Sequence, residues 1–366
     1  MNKNKEIFFA LLRAGLWEKD VEIPEYGTTN FSEIMRLAEE QSVVGLITAG
    51  LEHVKDVKVP QEWVLQLVGS TLHIEERNKA MNAFIEWLIE KLRQQGVYSL
   101  LVKGQGIAQC YERPLWRACG DVDLLLSTDN YNAAKHVLVP MAISVEEEDE
   151  KRKHLGLVIP DWVVELHGTL WSGLWKKLDL LIDDSQKSVF FDGNVRSWKN
   201  GKTLVFLPGV NEDVIFIFSH ILQHFFKEGI GLRQVCDWCR LIYQQFDELD
   251  QALLGKNLRK AGLMTEWKAF AALAVNYLGF PKTYMPYYSY DKKWKSKAED
   301  IIGIIMDTGN FGHNRDNSYR DECNIVTRKT ISLLRYTKET VKRFKIFPLD
   351  SMRVWWKIVK EGVMGG

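Results

Sequence analysis

The stretch GDVDLLL, residues 120–126, sets the tightest constraint on this chain. An apolar run such as Leu124 to Leu126 reads as a strand, and alternate strand residues share a face, so Asp121 and Asp123 present both carboxylates to one side. Like charges that close raise each other's pKa and destabilise the ionised pair unless something positive sits between them. A divalent cation answers that need, and so does a strand end bathed in water.

Upstream lies LLVKGQGIA, a short apolar run (VYSLLV, 97–102) that leads into a turn with Gly104 and Gly106 and then a brief helix-like segment. Backbone N–H groups in such a turn can cradle phosphate oxygens, with Lys103 adding positive charge; glycine after a strand is also simply a turn. The letters exclude two familiar phosphate sites. No G-x-x-x-x-G-K-[ST] is present. The dinucleotide fingerprint fails because Gln109 holds its third glycine position, Pro114 leaves too short a crossover helix, and the acids precede their strand instead of following it. If the GDVDLLL strand runs antiparallel to VYSLLV, its head lies beside the glycine turn, and phosphates and carboxylates meet in one cleft. Mg²⁺ favours that mixture of one or two carboxylates with substrate phosphates.

Transfer chemistry wants a third acid, as base or bridging ligand. Glu165 in DWVVELHGTLW is the candidate, since it interrupts an apolar strand and alternation puts His167 on its face. A buried glutamate is paired, liganded or at an exposed edge, and the strand pattern leaves all three open. HLGLVIP and DWVVELHGTLW form a predicted strand pair turning at Pro160 and Asp161.

Strands and helices alternate from 97 to 171, with KTLVFLP (202–208) as a last strand. Helical periodicity dominates before and after, in FSEIMRLAEEQSVVGLITAGLEHV, in NAFIEWLIEKLRQQG closing at Gly96, and in the stretches that follow residue 209. The expected architecture is α+β: a helical region over 1–95, a small mixed β-sheet core over 96–208, and a C-terminal helical domain with a basic tail over 209–366. Lys plus Arg equals Asp plus Glu at 48 each, which argues against a general nucleic-acid binder. Five cysteines without regular spacing suggest reduced thiols and a cytoplasmic location. The N-terminal apolar run IFFALL stops at Arg13, too short for a secretion signal, and no stretch reaches membrane-span length.

Other constellations have two readings each. His220 and His224 stand at i, i+4 without the glutamate of H-E-x-x-H, so packing, or one histidine (His224) touching phosphate or acceptor, fits better than zinc. Cys236 and Cys239 form one C-x-x-C with no second pair, which suits core packing. Arg233 and Asp237, also i, i+4, suit a helix-face ion pair. Trp162, Trp171 and Trp175 bracket the Glu165 strand and suit either core packing or base stacking. Ten basic residues between Arg328 and Lys360 face two acids, a solvated basic face or a local patch for nucleic acid or anionic membrane.

LLVKGQGIAQCYERPLWRACGDVDLLLS resembles the "K-G … R-x-x-G-D-[IV]-D-L-L" segment of an uncharacterised bacterial nucleotidyltransferase family within the polymerase-β-like superfamily. VVELHGTLW is similar to that family's acid-L-H strand, SHILQHFFKEGIGLRQVCDWCRLI to its H-x-x-x-H … L-R-x-x-x-D helices, and DTGNFGHNRD to a G-N-F-G turn, so the likeness runs from about 100 to 315. The resemblance implies Asp121 and Asp123 as metal ligands, Glu165 as the third carboxylate, and Gly104 and Gly106 in the nucleotide-phosphate turn with Lys103 beside them, and it leaves open that Arg233 reaches a phosphate. The implied activity is Mg²⁺- or Mn²⁺-dependent transfer of a nucleoside monophosphate from a nucleoside triphosphate, with ATP as donor, to a hydroxyl of a small molecule, sugar or protein. The superfamily's usual turn is G-G or G-S; here it is Gly104-Gln105-Gly106, which keeps alive an inactive nucleotide-binding or interaction protein on the same fold.

Overall fold

The computed structural model describes residues 3–23, 30–55, 59–312, 314 and 325–364. Helices α1 (Lys3–Trp17), α2 (Phe31–Glu40), α3 (Val44–Glu52) and α4 (Gln61–Arg93) come first. The Asn30 side chain opens α2 by accepting the Glu33 N–H at 3.2 Å. Ser42, at φ +55°, separates α2 from α3, so the periodic stretch from Phe31 onward folds as two helices. Gly96, at φ +71°, donates to the Arg93 carbonyl and closes α4, as its position predicts.

Seven strands follow: β1 (Leu100–Val102), β2 (Asp121–Leu125), β3 (Ser144–Val145), β4 (His154–Ile159), β5 (Trp162–His167), β6 (Val195–Asn200) and β7 (Thr203–Pro208). Between them lie α5 (Gly104–Ala108), α6 (Thr128–Leu138) and α7 (Lys176–Phe191). They form one sheet in the order β3-β4-β5-β2-β1-β7-β6. β1 runs antiparallel to β2, as the cleft requires, while β2–β5 and β1–β7 are parallel. The mixed sheet with helical regions on either side in sequence is the expected α+β arrangement. The charged stretch after Val145 is the loop of a β3–β4 hairpin.

Helices α8 (Val210–Lys227), α9 (Leu232–Gln244), α10 (Gln251–Ala261), α11 (Met264–Tyr277), α12 (Lys292–Thr308), α13 (Ile325–Phe344) and α14 (Pro348–Met364) complete the described chain. No helix among the described residues is long and apolar enough to cross a membrane.

Strand alternation sorts the sheet into two faces. Leu101, Val122, Leu124, Leu155, Leu157, Val164 and Leu166 join Met81, Ile85, Leu88 and Ile89 of α4 and Tyr131 and Leu138 of α6 in one apolar layer. Their alternates (Val102, Asp121, Asp123, Glu165 and His167) turn to the other side and border a cavity whose far wall is α8 and α9. The polar side chains thus come to lie on the face that α4 does not cover.

Candidate functional site

Register assembles the site. Val102 pairs with Asp123, Asp123 with Glu165, and Leu125 with His167, so Asp121, Asp123, Glu165 and His167 sit side by side on two neighbouring strands. The β4–β5 hairpin sets His154 directly opposite His167. The cavity they border measures about 370 Å³.

Asp123 is almost fully buried. Its Oδ1 accepts from Lys103 Nζ at 2.8 Å and lies 2.8 Å from His167 Nε2. Burial works against its charge, but Lys103 and His167 outweigh that and hold its pKa below the ordinary value. His167 Nε2 is also 3.3 Å from Glu165 Oε2, and His154 Nε2 reaches the same oxygen at 3.2 Å. Burial again opposes ionisation of Glu165, yet the hydrogen bonds from both histidines and the charge of Lys103 drive its pKa far below the carboxylate range. His167 is buried, which disfavours its charge, and its two carboxylate partners nevertheless raise its pKa. Lys103 behaves alike: burial pulls its pKa down, and the nearby acids, Asp123 first, push it up.

Asp121 differs. Among the described residues no group donates a hydrogen bond to its carboxylate, and the charge of Asp123, with burial, raises its pKa. It is the open carboxylate of the cluster.

Lys103 owes its position to an uncommon backbone. It sits at φ +57°, ψ −146°, a region open mainly to glycine, and hands the chain to Gly104 at φ +41°. A Cβ on Gly104 would approach Cys119 Sγ to 3.2 Å, and Gly104 borders the cavity. Gly106 does not border it. A Cβ there would meet Leu207 Cδ2 at 2.9 Å, so its smallness lets α5 lie against β7.

On the far wall, His220 and His224 of α8 stand with ring centroids 4.3 Å apart, and His224 Nδ1 is 2.9 Å from Glu228 Oε2. Burial, the charge of Lys103 and His224 together push His220 well below its usual pKa, so it is neutral. Arg233 Nη1 donates to the Ala118 carbonyl at 3.1 Å, while its Nε is buried without a hydrogen-bond partner among the described residues.

The expected Arg233–Asp237 ion pair does not form. Both Asp237 oxygens are taken by Arg117, Nε to Oδ1 and Nη2 to Oδ2 at 2.7 Å each, and Tyr111 adds a hydroxyl at 2.8 Å. A buried carboxylate prefers that planar two-pronged partner to a helix neighbour. No carboxylate pairs with Arg233 among the described residues, and its guanidinium borders the cavity.

Of the three tryptophans, only Trp171 borders the cavity, its Nε1 donating to Asp183. Trp162 lies in the opposite apolar layer, stacked with Phe84, and Trp175 is in the helical core with its N–H on the Ala261 carbonyl. Cys236 and Cys239 are fully buried thiols with raised pKa values, as core packing predicts. Part of the basic C-terminal set is already engaged: Arg343 with Glu339, Lys342 with Asp307, Lys357 with the Gly173 carbonyl. The G-N-F-G turn is described through Gly312; Cys323 lies outside the described residues.

The structure adds two residues to the sequence-derived set. Arg117 belongs to the quoted R-x-x-G-D segment, but its partner is 120 positions away in the chain. His154 could have been found by counting back from the Pro160–Asp161 turn, which places it across from His167.

Three carboxylates on one face, one of them open, set across a cavity from a guanidinium that no carboxylate pairs among the described residues, suit a cation and a polyanion held together. A family model described as an uncharacterised nucleotidyltransferase matches residues 27–279. No curated protein and no solved structure matches the chain.

Proposed function

The chain belongs to this family of uncharacterised nucleotidyltransferases, and from that premise we propose that it moves a nucleoside monophosphate from a nucleoside triphosphate, ATP in the first instance, to a hydroxyl of a small molecule, sugar or protein. The observation that supports this best is the register-fixed cluster of Asp121, Asp123 and Glu165 facing Arg233 across one cavity. A divalent cation suits these residues: Asp121, Asp123 and Glu165 share one face and border one cavity, and the charge of Asp123 beside Asp121 is a demand for positive charge that such an ion meets.

Asp121, Asp123 and Glu165 would hold Mg²⁺ or Mn²⁺. When bound, the ion neutralises phosphate charge and polarises the phosphorus under attack. Arg233 and Lys103 bracket the polyphosphate from opposite walls. The acceptor oxygen forms a new bond to the α-phosphorus as the bond to the bridging oxygen breaks, and pyrophosphate leaves along the Gly104 turn. The acceptor's proton passes through Glu165 to water.

A second reading follows from a specific contact. Lys103 and His167 already neutralise Asp123, so an ion has to compete with them, and a protein that only binds nucleotide would tolerate that arrangement. One experiment separates the two. Purified protein is given each α-labelled nucleoside triphosphate with Mg²⁺, and pyrophosphate release and label transfer are followed. Transfer that is lost in Asp121→Asn and Asp123→Asn supports the enzyme. Transfer unchanged by both substitutions refutes the metal mechanism, and metal-dependent binding without turnover favours the second reading.

A further inference from the structure

Two histidine nitrogens converge on one glutamate oxygen beside the aspartate pair. His154 Nε2 and His167 Nε2 lie 3.2 and 3.3 Å from Glu165 Oε2, and the ligand atoms of the three residues fall within 4.8 Å of one another. A first-row ion bound at about 2.1 Å by neighbouring ligands places them about 3.0–3.4 Å apart. The two nitrogen–oxygen spacings already match that geometry.

The convergence is built into the fold. The β4–β5 register sets His154 opposite His167 and Gly156 opposite Glu165, and the side chain that lies over Gly156 is the carboxylate of Glu146, from the β3–β4 loop, not a residue of β4. Glu165 and His154 are partly exposed toward the cavity, and His167 is buried behind them.

We propose that His154, Glu165 and His167 form a nitrogen-bearing metal position, adjoining the Asp121–Asp123 oxygens and sharing Glu165 with them, that takes an imidazole-accepting first-row dication (Mn²⁺, Fe²⁺, Co²⁺ or Zn²⁺) in preference to Mg²⁺. Mg²⁺ is a hard ion that binds oxygen and keeps its waters, whereas two imidazoles and a carboxylate are the donor set of the later first-row metals. This deepens the metal-dependent reading above and rests on it for the neighbouring oxygen ligands alone. The consequence is a centre with two unlike positions: carboxylate oxygens that accept Mg²⁺ with nucleotide, and an imidazole-lined position that does not.

The test uses Co²⁺ alone with the full-length protein at neutral pH, read by proton NMR and by calorimetric competition against Mg²⁺. Coordination through Nε2 leaves Nδ1–H as an exchangeable proton on each ligand ring, so two hyperfine-shifted, solvent-exchangeable resonances are expected, with Co²⁺ bound at least tenfold more tightly than Mg²⁺. His154→Gln, a change at a partly exposed position, should leave one such resonance and remove most of that preference. Co²⁺ binding without shifted imidazole protons, or two shifted protons that persist in His154→Gln, overturns the inference and leaves transfer at the aspartates untouched. Two shifted protons in a protein that turns over no nucleotide with any metal uphold the inference and refute the transfer reading.

Discussion

Arg117 and Asp237 meet through two parallel N–H···O bonds of 2.7 Å each, joining the segment that leads into β2 to the helix α9 that forms the opposite wall of the cavity. Both side chains are buried, so the pair sets the distance between the acids and Arg233. Removing one partner leaves an uncompensated buried charge, which costs roughly 3–5 kcal/mol.

Asp237→Ala is therefore expected to lower unfolding free energy by about that amount, roughly 3–5 kcal/mol in urea titrations. Arg233→Ala should cost far less, about 1 kcal/mol, since it breaks one hydrogen bond, to the Ala118 carbonyl, and no carboxylate pair. A Tm and urea midpoint for both variants checks the contrast.

Arg233 also yields a binding test. Charge-assisted hydrogen bonds are worth about 1.5–3 kcal/mol, so Arg233→Ala should weaken nucleoside triphosphate binding roughly 10- to 100-fold. Calorimetric titration with a non-hydrolysable triphosphate measures it, and an unchanged affinity removes Arg233 from the phosphate site.

The backbone at Lys103 separates charge from conformation. Lys103→Ala and Lys103→Gly both lose the contact to Asp123, but only glycine takes φ +57° with ψ −146° freely. The glycine variant should be the more stable of the two by about 1 kcal/mol. Equal urea midpoints would show that this backbone carries no strain.

His167 gives a pH signature in chelator. Its pKa is raised in the folded state, so it binds its proton more tightly folded than unfolded. Its contribution to stability is full below about pH 6.5 and is lost as pH rises through the folded value. Asp123 and Glu165 act in the opposite sense, stabilising above the ordinary carboxylate range and losing that as pH falls. His167→Gln is expected to flatten the decline on the neutral-to-alkaline side, which a series of urea titrations across pH resolves.

Much of this site was legible in the letters because strand alternation is a local rule. Asp121, Asp123, Glu165 and His167 share a face as their spacing requires, and the antiparallel run of β1 beside β2 brings Lys103 to Asp123. What escaped depends on distant partners. Nothing near Asp237 says that a buried arginine will outbid Arg233 for it. β6 escaped for another reason: VRSWKN is an edge strand, mostly open to solvent, with no apolar face to reveal it. α7 did carry its signal, with Leu178, Leu181, Ile182, Ser185 and Val189 at helical spacing, between two stretches that read as strands.

The parallel ladder from Asp121 opposite Val163 to Leu125 opposite His167 works as a ruler with a two-residue gauge. One residue gained or lost between Trp162 and Glu165 would turn Val164 and Leu166 into the cavity and bury Glu165 and His167 among the leucines under α4. The β3–β4 loop carries no such gauge, so length changes between 147 and 152 leave the spacing of the acids untouched. Indels should accordingly scatter the acids when they fall within β2 or β5 and spare their spacing when they fall between 147 and 152.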